Sequence, residues 1–346
     1  MKDRRRKSEW LCVILRLVHD FEARQATPLV SVVIPAYRAT EWIGATLDSV
    51  LAQTFRDFEV IVVNDGSPDT EDLEAVLKPY RERIVYVRQE NQGLAGARNA
   101  GIRAARGEYV APLDADDLWE PEHLEAQVAM LRADPSIDVV YADASIFGNP
   151  RDEGHTVMEL CPSEGEVTFE KLVMRQCTVH VCVCVIRRDM LERVGLFDPA
   201  FRRNGEDIDL WMRIAKAGGR IVYQRRVLGR YRRRADSMSA DRVSALQAFV
   251  AVLEKAAGDS SLTAPQRTAV ERQIQSERAN LELEKGRKAF LLGDAEAAID
   301  SLTIANAHYK SLKLAGVLMA MRLAPRFLQA FYHWRDRHVF RLKTQS

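Results

Sequence analysis

Residues 108–119 read Glu-Tyr-Val-Ala-Pro-Leu-Asp-Ala-Asp-Asp-Leu-Trp, and this stretch decides the fold. Its apolar run at 109–111 indicates a buried strand, and Pro121 is typical of the first turn of a helix. The three aspartates therefore follow the end of a strand, the edge at which open α/β sheets bind ligands. A cation would offset their mutual repulsion, and carboxylate oxygens suit Mg²⁺ or Mn²⁺. A solvated acidic loop that caps the helix is the alternative, and the stretch alone does not decide between the two.

The composition is that of an ordinary globular protein with little net charge. Of the 346 residues, 47% are hydrophobic and 29% charged, and the formal net charge is +1. The length exceeds one average domain, so we expect a main domain with an appendage. No apolar run approaches the roughly 20 residues that span a bilayer. Residues 1–27 begin with a basic run and lack a small-residue cleavage site, which favours a basic arm over a signal peptide.

The cysteines do not follow a metal or disulfide pattern. An odd count without paired Cys-x-x-Cys spacing argues against both, so we expect small core residues in a reducing compartment, by default the cytoplasm. Two of them alternate in the apolar run 179–186, which predicts a strand with both on one face. The five are Cys12, Cys161, Cys177, Cys182 and Cys184.

Strands and helices alternate four times between residues 29 and 111. Apolar runs at 29–35, 58–63 and 84–87 precede the run at 109–111, which is typical of a parallel, doubly wound sheet. Asp65 follows the second run and would share the ligand-binding edge, although a turn or helix-capping aspartate is nearly as good an interpretation. No Gly-x-Gly-x-x-Gly follows the first run and no Gly-Lys-Ser/Thr loop occurs, which disfavours dehydrogenases and P-loop kinases.

Four ordered blocks of this half resemble family 2 glycosyltransferases, which have the GT-A fold. They are SVVIPAYRATEWIGATLDSVLAQTF at 31–55, FEVIVVNDGSPDT at 58–70, NQGLAGARNAGI at 91–102 and YVAPLDADDLW at 109–119. The resemblance covers residues 30–239. It implies a Rossmann-like mixed α/β sheet flanked by helices. It also implies an inverting transfer of a sugar from a nucleotide diphosphate sugar.

The same resemblance assigns residues to the donor. By position in the blocks, Pro35, Tyr37 and Asp65 would hold the nucleoside. Asp114 and Asp116 would form the Asp-x-Asp metal motif, with Asp116 on a divalent cation, Mg²⁺ or Mn²⁺.

Two arginines have expected contacts with the donor phosphates. Arg98 would lie near the diphosphate or the donor sugar, since its planar fork binds two oxygens at once, with a surface arginine as the alternative. In the basic run 225–234 the family often has Tyr-Arg-x-His, and here Tyr231 and Arg232 fit that pattern. Arg234 replaces the histidine. A diphosphate suits this run better than nucleic acid, because no series of stacking aromatics is interleaved with it.

A second acidic pair supplies the candidate base. Glu206 and Asp207 precede an apolar helical face and would lie at a helix N-terminus, where acids are also good capping residues. By the family resemblance Asp207 is the base that deprotonates the acceptor hydroxyl, with Glu206 as second choice. Asp209 is expected on the helix surface or behind the site. His180 is expected to be a hydrogen-bonded strand histidine rather than a catalyst.

We predict a basic N-terminal arm at 1–27, a GT-A domain at 28–240 and a helical region at 241–346. Gly293 and Asp294 predict a helix stop and a cap. The basic, aromatic tail from Pro325 to Phe340 would bind a membrane surface or a partner, or pack on the catalytic domain.

We therefore expect a cytoplasmic, metal-dependent transferase for surface polysaccharide or glycan assembly. Its partners would be a nucleotide sugar, a glycan or lipid-linked acceptor, and the inner membrane face through the basic termini, but not nucleic acid. The alternative is a non-catalytic sugar-nucleotide or glycan-binding scaffold that acts through its helical tail. Asp65, Asp116 and Asp207 together argue against it.

Overall fold

The computed structural model describes residues 27–150, 152–163, 165–234 and 241–324. It divides into two compact units. Within the described ranges, the first unit comprises the chain up to Cys161 together with Val179–Pro199 and Ala217–Arg232. The second comprises Pro162–Thr178, Ala200–Lys216 and the chain from Arg233 onward. The expected arm at 1–27 and the tail beyond 324 lie outside the described residues, except for Thr27.

Eight strands form one sheet in the first unit. Their order is β3-β2-β1-β4-β7-β6-β8-β5. The strands are β1 Val30–Ala36, β2 Phe58–Asp65, β3 Val85–Gln89, β4 Tyr109–Pro112, β5 Leu118–Trp119, β6 Ile137–Phe147, β7 Cys184–Arg187 and β8 Arg220–Arg232.

The sheet is parallel at one side and mixed at the other, as expected. β1 pairs in parallel with β2 and β4, and β2 pairs in parallel with β3. β7 is antiparallel to both β4 and β6, while β6 and β8 are parallel. Every residue of β1 and β4 is buried, which is why their apolar runs are continuous rather than alternating. The carboxyl ends of β1, β2 and β4 therefore meet at one edge.

Twelve helices occur in the described residues. Helices α1 to α5 and α7 belong to the first unit, and helices α6 and α8 to α12 belong to the second unit. They are α1 Ile43–Leu51, α2 Thr70–Leu77, α3 Gly93–Ala104, α4 His123–Ala133, α5 Val157–Leu160, α6 Phe169–Val173, α7 Arg188–Val194, α8 Glu206–Lys216, α9 Arg242–Ala257, α10 Ala264–Leu292, α11 Ala295–Tyr309 and α12 Leu312–Leu323.

Helix α3 approaches the sheet closely because of one glycine. A Cβ atom on Gly101 would lie 2.3 Å from Cγ1 of Val33 and 3.2 Å from Cγ2 of Val63. Contacts of that length are repulsive, so any side chain here would force the helix away from β1 and β2. The N-terminus of α3 is thereby held near the carboxyl edge of the sheet.

The second unit is helical, and its last four helices form the predicted C-terminal appendage. Gly293 ends α10 with φ 89°, and the Asp294 side chain accepts a hydrogen bond from the backbone N–H of Ala297 at the start of α11. The predicted stop-and-cap turn is confirmed. The predicted boundary after residue 240 stays a prediction. None of the helices in the described ranges combines the length and apolar character that a membrane crossing requires.

Candidate functional site

The acidic stretch forms a tight turn directly after β4. The backbone N–H of Asp117 donates to the carbonyl oxygen of Asp114 at 3.1 Å. From α1, the Thr46 hydroxyl lies 2.9 Å from the carbonyl oxygens of both Ala115 and Asp117. These bonds satisfy backbone groups that no strand or helix pairs, so the turn has a defined shape.

Arg232, the last residue of β8, holds the other side of this turn. Its backbone N–H donates to Oδ1 of Asp117 at 2.8 Å, and its Nε–H donates to the backbone oxygen of Asp116 at 2.9 Å. Its guanidinium carbon lies 4.1 Å from the ring centroid of Trp42 and 4.4 Å from that of Phe147. Sequence analysis matched Arg232 to a family position without assigning this role, which depends on side chains from three distant segments.

Asp117 therefore has a structural role in the turn. Its side chain is 2% exposed. Burial, together with the charges of Asp116 and Asp114, raises the pKa of this carboxyl well above its ordinary value. Asp116 is only half-buried. Of Asp116 and Asp117, it is thus Asp116 whose carboxylate a ligand from solvent can reach.

Arg98 and Asp114 form an ion pair beneath the edge of the sheet. Nη2 of Arg98 lies 2.7 Å from Oδ1 of Asp114, and their side chains are 1% and 30% exposed. Burial works to raise the pKa of Asp114, but the Arg98 charge and hydrogen bonds from Cys182 and Arg98 lower it overall. Asp114 is therefore an ionised group with one compensating charge. The surface-arginine alternative for Arg98 is wrong, and its contact with a donor phosphate stays a prediction.

Cys182 contacts this acidic cluster, which sequence analysis did not foresee. The predicted strand at 179–186 is only partly correct: a 3₁₀ turn, Val181–Val183, precedes β7. The indole N–H of Trp119 donates to the carbonyl oxygen of Cys182 at 2.7 Å and anchors that turn. One donor atom each of Asp114, Asp117 and Cys182 lie within 4.8 Å of one another.

The Cys182 thiol acts here as a hydrogen-bond donor. Burial, followed by the charges of Asp114 and Asp117, raises the pKa of the thiol well above its ordinary value. The prediction that this cysteine is buried is confirmed, because it is 2% exposed. Its position against two carboxylates depends on the 3₁₀ turn, which changes the direction of the side chain relative to a regular strand.

His180 lies beside the same cluster and outside any strand. Its ring centroid is 4.6 Å from that of Tyr231, in an edge-on arrangement. Burial lowers the pKa of the imidazole to about 4, although the Asp114 charge opposes this. Nδ1 is buried and has no hydrogen-bond partner in the described part of the chain, so the expected hydrogen-bonded strand histidine is wrong. The ring is neutral at physiological pH.

Asp65 at the end of β2 caps helix α3. Its carboxylate accepts from the backbone N–H groups of Gln92 and Gly93 at 2.8 and 2.9 Å, and from Nε2 of Gln89 at 2.7 Å. It is 3% exposed. The helix-capping interpretation is confirmed, but the capped helix begins 28 residues away rather than next in the chain. A contact with the nucleoside stays a prediction.

Tyr37 and Pro35 lie at the carboxyl end of β1. Pro35 is buried within the strand. Tyr37 follows the strand and is 48% exposed, and the Arg38 guanidinium lies 5.6 Å from its ring centroid. An exposed aromatic ring beside a cation at this edge is suited to stacking on a nucleobase.

The predicted base belongs to the second unit, where α8 begins with three acids. Glu206 is 4% exposed, and Asp207 is half-buried with its Oδ1 accepting from the backbone N–H of Ile208 at 2.8 Å. The expected position at a helix N-terminus is confirmed. Their roles in catalysis stay predictions, as does that of Arg234, which is half-buried in the same unit just beyond β8.

Asp209 is buried, and its expected place on the helix surface is wrong. It is 4% exposed and accepts hydrogen bonds from Lys255 of α9 at 2.5 Å and from Arg213 at 2.8 Å. A buried carboxylate is stable only with such partners. The pair ties the first turns of α8 to α9, and the apolar periodicity of α8 alone did not reveal it.

The donor set at the acidic turn fits a hard divalent cation. Asp114 and Asp116 offer carboxylate oxygens, which Mg²⁺ and Mn²⁺ prefer. Burial and the two carboxylates raise the pKa of the neighbouring Cys182 thiol, so the carboxylate oxygens are the ionised donors of this set. Asp116 is half-buried and Asp114 is 30% exposed, so a cation from solvent can reach both carboxylates.

Comparisons with known proteins show the family to which the chain belongs. The sequence model of "Glycosyl transferase family 2" matches residues 31–195. A UDP-Glc:alpha-D-GlcNAc-diphosphoundecaprenol beta-1,3-glucosyltransferase of Escherichia coli, WfgD, is 32% identical over 189 residues, 54% of this chain and 70% of that protein. A putative teichuronic acid biosynthesis glycosyltransferase of Bacillus subtilis, TuaG, is 30% identical over 218 residues, 62% and 83% of the two chains.

The fold has a match among solved structures. A mannosyltransferase of Pyrobaculum calidifontis, in complex with GDP-Man and Mn²⁺, superposes with a TM-score of 0.57 at 23% identity, covering 91% of this chain and 90% of that one. The predicted fold is confirmed. Among other bacterial proteins named uncharacterized glycosyltransferases, at 30 to 31% identity, the match covers only 29 to 64% of their length.

Proposed function

Because the chain belongs to glycosyl transferase family 2, we propose that it is an inverting glycosyltransferase that uses a nucleotide diphosphate sugar as donor. The observation that carries the proposal is the acidic turn after β4. Its ionised Asp114 is paired with buried Arg98, and the half-buried Asp116 stands beside it. This places two carboxylates that solvent can reach, Asp114 and Asp116, at the edge of the sheet where ligands of α/β folds bind.

The nucleoside would bind at the ends of β1 and β2. Exposed Tyr37 offers a ring for the base, and Asp65 keeps acceptor capacity beside the N-terminus of α3. The relatives bear different donors in their names, UDP-Glc in one and GDP-Man in another, so the base and sugar of this donor are left open.

A divalent cation held by Asp116 and Asp114 would, when bound, neutralise the diphosphate. The mannosyltransferase structure of the same fold contains Mn²⁺ with its nucleotide sugar. Arg98 keeps Asp114 ionised and oriented for this purpose, and Cys182 donates to the same carboxylate. Arg234 would add positive charge for the leaving diphosphate, in place of the family's histidine.

Asp207 would serve as the base, with Glu206 as second choice. The acceptor hydroxyl oxygen attacks the anomeric carbon as the bond from that carbon to the diphosphate oxygen breaks. The hydroxyl proton passes to the Asp207 carboxylate, and the electron pair leaves with the nucleoside diphosphate. Attack opposite the leaving group inverts the anomeric centre. The N-terminus of α8 favours the ionised carboxylate that this step needs.

The acceptor is proposed to be a glycan or a lipid-linked glycan in surface polysaccharide assembly. The name of the E. coli relative specifies a diphosphoundecaprenol-linked acceptor, and that of the B. subtilis relative specifies teichuronic acid biosynthesis. Such acceptors would place the enzyme in the cytoplasm at the inner face of the membrane.

The test is a panel of nucleotide sugars assayed for nucleoside diphosphate release with Mg²⁺ or Mn²⁺ and without either. One donor should stabilise the protein against heat and should be turned over only with metal. Asp207→Asn should still bind that donor and lose at least a hundredfold in kcat, since general base catalysis contributes about 10²–10⁴. Asp189→Asn, an acid in the first turn of α7, is the matched control and should keep full activity.

Retained turnover in Asp207→Asn would remove that residue as the base. Binding of a donor without release under any metal condition would instead support the scaffold alternative.

A further inference from the structure

Helix α12 has two apolar faces, and within the described residues only one of them packs against other helices. Leu318 and Met321 are 6% and 1% exposed and form a small core with Ala298 and Leu302 of α11. Leu314 packs against the same cluster. This face accounts for how α12 is held in place.

The opposite face of α12 carries large apolar side chains in solvent. Leu312, Met319 and Leu323 are 90%, 64% and 75% exposed. With about 100° of rotation per residue, they form one stripe along the helix, roughly opposite the packed face. We call these three residues the α12 stripe. Scattered exposed leucines need no explanation, but an aligned row of them marks a binding surface.

Positive charge flanks the stripe on both sides. The same helical rotation places Lys313 and Arg322 about 80–100° to either side of it. Long basic side chains in those positions can reach the phosphates of a surface into which the stripe inserts. From residue 301 to residue 335 the sequence has no acidic residue.

The whole C-terminal segment is unlike the rest of the chain in charge. Residues 301–346 contain eight Lys and Arg and one acidic residue, Asp336, for a net charge of +7, whereas the full chain nets +1. The sequence beyond the described residues adds aromatics of the kind that favour membrane interfaces, including Phe327, Phe331 and Trp334.

We propose that the α12 stripe binds the surface of an anionic lipid bilayer. A second copy docked through the same face, or residues 325–346 folding back, would bring like charges together, because residues 301–346 are basic. An anionic membrane complements the charge and accepts the aliphatic side chains. Nucleic acid would complement only the charge, since Leu312, Met319 and Leu323 have no ring to stack on bases. The inference stands apart from the proposed catalytic activity.

The test is flotation of the full-length protein with vesicles of phosphatidylcholine, with and without phosphatidylglycerol. Binding should require phosphatidylglycerol and weaken as salt is raised. The triple variant Leu312→Gln, Met319→Gln, Leu323→Gln should partition on the order of tenfold more weakly, or worse, because it removes three insertable side chains. Lys313→Gln with Arg322→Gln should lose about 25-fold, at roughly fivefold for each basic side chain near an anionic surface.

The matched control replaces three equally apolar, exposed residues of the first unit. Val85→Gln, Leu160→Gln and Val227→Gln start at 41%, 43% and 43% exposed, and together they should leave vesicle binding unchanged. Circular dichroism and thermal melting of each variant check that it is folded.

Three outcomes would overturn the proposal. One is no vesicle binding by the unaltered protein, or equal binding to neutral and anionic vesicles. Another is undiminished binding by the folded stripe variant. The third is a dimer in solution that the stripe variant converts to a monomer while vesicle binding persists, which would assign the stripe to a second copy.

Discussion

Replacing Arg98 with methionine should destabilise the protein chiefly through Asp114. The substitution keeps most of the buried side-chain volume and removes the guanidinium, whose Nη2 is 2.7 Å from Oδ1 of Asp114. Breaking a buried ion pair from one side costs about 3–5 kcal/mol. Because Asp114 is 30% exposed and water can reach it, we expect a loss below that range, about 2–3 kcal/mol at pH 7.

The cost should depend on pH in a defined direction. In the unaltered protein the pKa of Asp114 is lowered, so its contribution to stability is present above the unfolded value of 3.8 and is lost only as pH falls through the lower folded value. Without Arg98, burial raises that pKa instead, and ionised Asp114 then opposes folding. The stability difference between the two proteins should therefore shrink as pH falls from 7 toward 4.

Urea unfolding with a chelator present, followed by fluorescence and circular dichroism, measures the free energy of unfolding of both proteins at each pH. The double variant with Asp114→Asn should recover most of the loss, because no unpaired charge remains. Arg278→Met is the control: its Nη2 lies at a similar 2.6 Å from Glu254, but the side chains are 54% and 45% exposed. It should cost no more than about 1 kcal/mol. A coupling below about 0.5 kcal/mol in the double-mutant cycle, or a loss independent of pH, would refute the reasoning.

Two further substitutions test the elements that shape the site. Asp65→Asn should lower the free energy of unfolding by about 1 kcal/mol, because the amide can replace only part of the cap that the carboxylate provides for α3. Amide hydrogen exchange should show reduced protection of α3. Unchanged protection would contradict the prediction. Gly101→Ala should cost about 1–3 kcal/mol in thermal unfolding, because the new methyl would lie 2.3 Å from Cγ1 of Val33. Gly316→Ala in α12 is its control, because nothing lies within 4 Å of the added atom, and stability should rise by about 0.5–1 kcal/mol. Equal effects at both glycines would show that α3 is not tightly packed against the sheet.

The strands and helix ends that were predicted correctly are those encoded by neighbouring residues. The runs 29–35 and 109–111 are apolar except for Ser31, because β1 and β4 are buried on both faces, and this pattern identifies them as strands of a parallel sheet. Gly293 and Asp294 act within one helical turn of their own positions. Whether these predictions are correct does not depend on residues far along the chain.

The surroundings of two residues, Cys182 and Asp209, were predicted incorrectly because their partners lie far along the chain. Cys182 looked like a core strand residue, but a 3₁₀ turn and the Trp119 indole direct it to the acidic cluster. Asp209 was expected on the helix surface or behind the site, but it is buried, because Lys255, 46 residues later in the chain, pairs with it. In both cases the partner lies far along the chain, where the local pattern does not show it.

The sequence alone predicted the alternating strands and helices between residues 29 and 111, the acids at the strand ends and the resemblance to the family, since each depends on residue types at short spacing. The different surroundings of the three aspartates became visible only in the fold. Arg232 binds Asp117, 115 positions away, and Arg98 pairs with Asp114, which leaves Asp116 to face solvent. Three neighbouring aspartates are chemically alike in the sequence, and they differ only through the burial and charges that folding brings around each one.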